Sequence, residues 1–138
     1  MTVGFKVGSI VDEVGSDTFL NSIFSTVSFH LEKSGWGTVY PLFMKDLYDG
    51  HLRCSHASEA LKEVRDIKQK LETLSPKQIV WNIEDLTKRP PWGDHISKDI
   101  TDLSNYFVSS TGRDFFELIE ECCQAMIDEN EDLFIESY

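Results

Sequence analysis

No lysine or arginine follows Arg113 in this 138-residue chain. Nine acids lie in that base-free stretch: Asp114, Glu117, Glu120, Glu121, Asp128, Glu129, Glu131, Asp132 and Glu136. The whole chain has 24 acids and 13 bases, so residues 1–113 hold 15 acids and 13 bases, a net of −2, and residues 114–138 hold −9. A chain with so large an excess of acids suits neither nucleic acid nor an anionic membrane, both of which demand a basic surface. Cysteine is also scarce. There are three (Cys54, Cys122 and Cys123), an odd number with two adjacent members, which is no disulfide framework. No apolar run approaches the roughly 20 residues that cross a bilayer. The start, MTVGFKVGSIVDEVGS, lacks the basic opening and long apolar core of a signal peptide. These absences predict a soluble, cytoplasmic protein. Apolar residues at 41% and aromatics at 12% exclude a disordered chain.

Motifs for known chemistries are missing as well. No G-x-S-x-G elbow raises a serine above an ordinary turn hydroxyl. Gly4, Gly8 and Gly15 fit neither the dinucleotide fingerprint nor the phosphate loop, and mark close packing and a turn instead. His51, Cys54 and His56 lie near one another, but no second pair of ligands completes a zinc spacing. Cys122 and Cys123 point about 100° apart on a helix and cannot clamp one ion together. His30 falls at a helix C-terminus, where it meets the negative end of the dipole. No catalytic residue, metal or cofactor is predicted.

What is present reads as one α+β domain, residues 1–138, with a small sheet packed against three to four helices and an acidic C-terminal element, 114–138. Alternation over Val3–Val11 predicts a first strand, and Gly15-Ser16-Asp17 a turn and helix cap. Phe19, Leu20, Ile23, Phe24, Val27 and Leu31 recur at helical spacing up to Gly35. The interior of that helix is rich in Ser, Thr and Phe, so packing must hold it. Thr38–Tyr40 reads as a short extended piece, and Leu42–Tyr48, after Pro41, as a short helix closed by Gly50. The strongest helix runs over residues 57–74, capped by Ser55, with Pro76 beyond it. Ile79–Ile83 is the best interior strand by composition, and Tyr106–Val108 is another. A last helix begins near Arg113 with Phe116, Ile119, Cys123, Met126 and Ile127 inward. Leu133–Ile135 either extends it or forms an edge strand.

Residues 84–104 form the longest irregular stretch, stiffened by Pro90-Pro91. Within it Glu84 and Asp85 directly follow a predicted strand, a position where carboxylates bind metal, act as acid and base, or simply open a solvated loop. His95 is the one loop histidine worth testing beside them. A third reading is a recognition surface, with Glu84, Asp85, Asp94 and Asp99 as an acidic rim around Trp92. Trp92 equally suits the domain's own core. In the C-terminal element, Glu120, Glu121, Asp128 and Glu129 are the candidate exposed acids. They serve either a basic partner or solubility alone.

Several stretches occur together in a familiar order: Val7–Ile10, Phe24–Val27, Met44–Tyr48, Val80–Leu86, Pro90–Gly93 and Leu103–Val108. The set resembles a family of small bacterial immunity proteins, immunity protein 70, over roughly residues 4–120. Trp81–Gly93 is its most specific phrase, and the last 15 residues match nothing familiar. The resemblance implies a non-enzymatic inhibitor that binds a cognate toxin domain in the cytoplasm. A nuclease toxin would present a basic site that an acidic inhibitor could occupy as a phosphate mimic. The other classes left open are an acidic interaction module with an unrelated basic partner, and a small hydrolase using Glu84, Asp85 and His95.

Overall fold

A computed structural model describes all residues, 1–138. Its sheet is antiparallel and four-stranded, built from β1 (Thr2–Val7), β2 (Ile10–Ser16), β3 (His51–Leu52) and β4 (Leu133–Ser137). The spatial order is β2-β1-β4-β3. Three long helices accompany it: α1 (Asp17–Leu31), α2 (Ala57–Leu71) and α3 (Phe115–Glu129). This is the α+β domain the sequence predicts.

The expected single strand Val3–Val11 is a hairpin. Val7 pairs with Ile10 across the two-residue turn Gly8-Ser9, and Gly8 takes φ +61°, where hairpins favour glycine. Alternation continues through so short a turn, so periodicity alone conceals the reversal. Ser16 then caps α1, its hydroxyl accepting from the Phe19 amide at 3.1 Å. The expected helical stripe is buried from Phe19 to Val27 and half-buried at Leu31, with Phe24 at the centre of a ring cluster with Phe43 and Tyr48.

Residues after α1 do not extend. The buried Glu32 carboxylate accepts from the amides of Gly37, Val39 and Tyr40 at 2.9–3.0 Å and winds Thr38–Tyr40 into a turn instead of the expected strand piece. Leu42–Leu47 forms a short π-helical turn after Pro41, capped by Glu63 through the Leu42 and Phe43 amides. Burial pushes the Glu63 carboxyl up. The helix α2 stops at Leu71, and its entry is a 3₁₀ turn over Cys54–His56 rather than a Ser55 cap.

Two expected strands are absent. Ile79–Ile83 belongs to no sheet, because α1 satisfies its backbone. The Thr26 hydroxyl accepts from the Val80 amide and donates to the Val80 carbonyl, each at 3.1 Å, and Ser25 accepts from the Ile83 amide at 3.2 Å. His30 Nε2 donates to the Gln78 carbonyl at 2.7 Å. The hydroxyls that weaken α1 as a helix are thus the partners of this segment. Tyr106–Val108 makes only one bridge, Val108 to Asp114. Its apolar character comes from Phe107, whose ring packs inward against Phe19 and Phe116, and from Tyr106, whose ring packs on Phe107 and Trp92.

At the other end Asp114 caps α3 through the Glu117 amide, and Asn130 closes it in the left-handed conformation. Phe115, Leu118 and Cys122 join the expected inner face, while Ile127 is exposed. Leu133–Ser137 is a strand, and not an edge one: β4 lies between β1 and β3.

Candidate functional site

The predicted site residues fall in two regions. The first is the loop that leaves α1's hydroxyl face at Ile83. Its inner side is a pad of rings: Trp81 and Trp92 meet edge to face at 5.5 Å, and Trp92 Nε1 donates to the Tyr106 hydroxyl at 2.8 Å. Trp92 is therefore half-buried and packed on the core, with part of its indole still open. Pro90 is buried beside it.

The loop acids do not converge. Asp85 accepts from the amide and hydroxyl of Thr87 at 3.1 and 2.6 Å, and these bonds hold its carboxyl below the usual range. Glu84, Asp94, His95 and Asp99 are exposed. Asp94 pairs with Arg89 at 3.7 Å, and Asp99 meets Ser97. No hydrogen bond or ion pair joins Glu84, Asp85 and His95, and no group of three His, Cys, Asp or Glu side chains stands close enough to hold a metal ion. The hollows around the loop are lined in part by Lys77, Lys88 and Arg89, so the expected rim is of mixed sign rather than acidic.

The second region is the acidic element. The outer side of α3 presents Glu117, Glu120, Glu121, Gln124 and Asp128 at helical spacing, with Arg65 of α2 alongside. Arg113 is held between Asp12 of β2, at 3.3 Å, and Glu121. Glu136 pairs with Lys6 at 3.6 Å. Asp132 is structural: it accepts from the Cys54 amide at 2.9 Å and meets His51 Nε2 at 2.8 Å. Those bonds pull its carboxyl down to about 2. Asp114 is spent on the α3 cap, and burial raises its carboxyl. That leaves Glu117, Glu120, Asp128, Glu129 and Glu131 without a cationic partner. The candidates Glu120, Glu121, Asp128 and Glu129 do lie on one helix, but Glu121 is already engaged.

The thiols and histidines make no site. Cys122 and Cys123 are buried, and burial drives the Cys123 thiol up to about 12 and Cys122 higher still. Cys54 Sγ donates to Asn130 Oδ1 at 3.6 Å, while His56 faces Asp46. Sequence reasoning missed Val11, Phe134 and Tyr138, which are large, apolar and half-exposed. The signal was the pattern Leu133-Phe134-Ile135. Once this is a strand with Leu133 buried, Phe134 must face the other way.

The family model described as Immunity protein 70 matches residues 5–135. The match runs past residue 120, where the resemblance read from sequence ends, through the rest of α3 and most of β4. No curated protein and no solved structure matches the chain.

Proposed function

The chain belongs to the immunity protein 70 family, and on that premise we propose that it is a non-enzymatic inhibitor that binds a cognate toxin domain in the cytoplasm through an acidic surface. The observation that carries the acidic surface is the segregation of charge. Nine acids and no base lie in residues 114–138, and four of the acids without an ion pair project from α3 at Glu117, Glu120, Asp128 and Glu129. Carboxylates ordered along a helix resemble the spaced charges of a phosphate backbone. A toxin that cleaves nucleic acid must carry cations to hold its substrate. Attraction between the two would speed the encounter and, in the complex, would occupy the cationic site. The loop is the second arm of this reading: exposed Glu84, Asp94 and Asp99, with Asp85 and the open edge of Trp92, would contact the same partner.

The first test is co-expression with the C-terminal domain encoded by the adjoining toxin gene, scored by rescue of growth. The second is kinetic. Reversing charge at Glu120, Glu121, Asp128 and Glu129 should slow association about ten-fold or more at low salt and flatten its salt dependence, with less effect on dissociation. Association that ignores both the substitutions and ionic strength would leave the acids as solubilising groups only.

A further inference from the structure

The sheet has helices on one face only. Parity assigns the side chains of β1, β3 and β4, and those of β2 as far as the bulge at Val14. Val3, Phe5 and Val7 of β1 point inward, with Phe5 packed on Phe115 of α3 at 5.9 Å. Gly4 and Lys6 therefore point outward. Register brings Glu13 beside Gly4, Val11 beside Lys6, Glu136 beside Gly4 and Phe134 beside Lys6. On the far side His51 pairs with Phe134 and stacks on it, centroids 4.4 Å apart and planes 12° from parallel.

An open antiparallel face is ordinarily polar. This one is not. Val11 is 45% exposed, Phe134 44% and Tyr138 57%. Tyr138 continues β4, its amide donating to the Thr2 carbonyl and its hydroxyl to Glu13 at 3.4 Å. The absence of a side chain at Gly4 makes room for this: a Cβ there would stand 3.1 Å from Val11 and 3.2 Å from the Tyr138 hydroxyl. Around the apolar centre stand Glu13, Glu136, Asp132 behind His51, and Glu131 beside the Gly8 turn, with Lys6 among them and the exposed Arg53 just past the end of β3. Aromatic faces ringed by carboxylates are what a guanidinium or ammonium group seeks, through cation–π and ionic contact together.

We propose that this outer sheet face, centred on Phe134, His51, Tyr138 and Val11, is where the basic toxin domain docks, inserting an arginine- or lysine-bearing surface against it. The assignment rests on the immunity reading above and names its contact surface. Charge complementarity selects the occupant. Acids outnumber cations here, with Glu13, Glu131, Asp132 and Glu136 against Lys6 and Arg53, so an acidic partner is disfavoured, and a second copy of this chain would bring the same acids face to face. From strand spacing and rise the face measures about 15 by 17 Å, roughly a third of the ~800 Å² that one partner contributes to a standard interface. It is the anchor of a larger contact. Asp12 and Glu13, alternating on the edge strand β2, carry the acidic surface round to Arg113, Glu121 and the α3 stripe.

The experiment titrates a catalytically inactive form of the adjoining gene's toxin domain against the wild type, Phe134→Ala, Tyr138→Ala and Val39→Ser. Val39 is equally exposed but lies in the turn after α1. Phe134→Ala and Tyr138→Ala should each weaken binding about ten-fold or more, the scale of an interface hot spot, while Val39→Ser binds like wild type. Tyr138 lies past the end of β4, so its variant keeps the test valid if Phe134→Ala unfolds. Wild-type binding and rescue with both aromatic variants within two-fold would overturn the surface and leave the immunity reading standing. Failure of the wild type to bind or rescue would overturn the reading, and the docking surface with it. A dimer abolished by these substitutions, with toxin affinity unchanged, would give the face to a second copy and overturn the proposal.

Discussion

Replacing Thr26 by valine tests the feature on which the whole loop depends. Thr26 is fully buried in α1, and its hydroxyl both accepts from the Val80 amide and donates to the Val80 carbonyl. Valine keeps the shape and removes both bonds. Two buried backbone groups are then left unpaired, each costing about 1–3 kcal/mol, offset by about 0.8 kcal/mol for the added buried methyl. Allowing for relaxation, the loss is about 2–4 kcal/mol, a large share of the roughly 5–15 kcal/mol that stabilises a domain. An unfolding entropy of about 2.1 cal/mol/K per residue makes each kcal/mol worth about 3–4 °C here, so Tm should fall about 7–14 °C. Thr26→Ser keeps both bonds and loses only a methyl, about 1 kcal/mol. Thermal unfolding followed by far-UV circular dichroism measures both. Tryptic cleavage after Lys88 adds a local readout, since loosening the segment should speed cutting in Thr26→Val before global unfolding. A Thr26→Val protein that melts within about 2 °C of wild type, with unchanged cleavage, would refute the claim that the hydroxyl replaces a strand partner.

Trp92→Ala should cost about 2–3 kcal/mol, less than the 3–5 typical of a fully buried aromatic, because the indole is half-buried and its N–H bonds Tyr106. An unchanged melting curve with lost toxin affinity would make Trp92 an interface anchor instead. In the folded protein, Ellman's reagent should reach Cys54 and leave Cys122 and Cys123 unreacted until denaturant is added, because burial disfavours their thiolates. Three thiols reacting at one rate without denaturant would contradict the fold around α3. Asp132 has a folded carboxyl at about 2, below its ordinary 3.8, so its stabilising effect is present above about pH 4 and is lost as pH falls towards 2. The Tm gap between wild type and Asp132→Asn should accordingly be widest near neutrality and narrow through that window; a gap that widens in acid would refute the assignment.

The elements that the sequence determined are those with local causes. An amphipathic stripe set α2, Ser16 and a helical apolar repeat set α1, and a base-free acidic stretch set the charge of α3 and β4. Chemistry of that kind is written within a few residues. Ile79–Ile83 shows the opposite. Its composition is that of a strand, but which groups satisfy its amides depends on where α1 lies, some 54 residues away in sequence between Thr26 and Val80. Trp92 is similar: only the position of Tyr106 and Trp81 decides how much of the indole meets water. The acids of the C-terminal element were countable, yet tertiary structure alone sorted Asp114 and Asp132 into structural bonds, Glu121 and Glu136 into ion pairs, and the others towards solvent. The outer sheet face could not be read at all until β4 was placed between β1 and β3. A strand's period fixes which residues share a face. Which face the helices cover is decided only when distant segments pack.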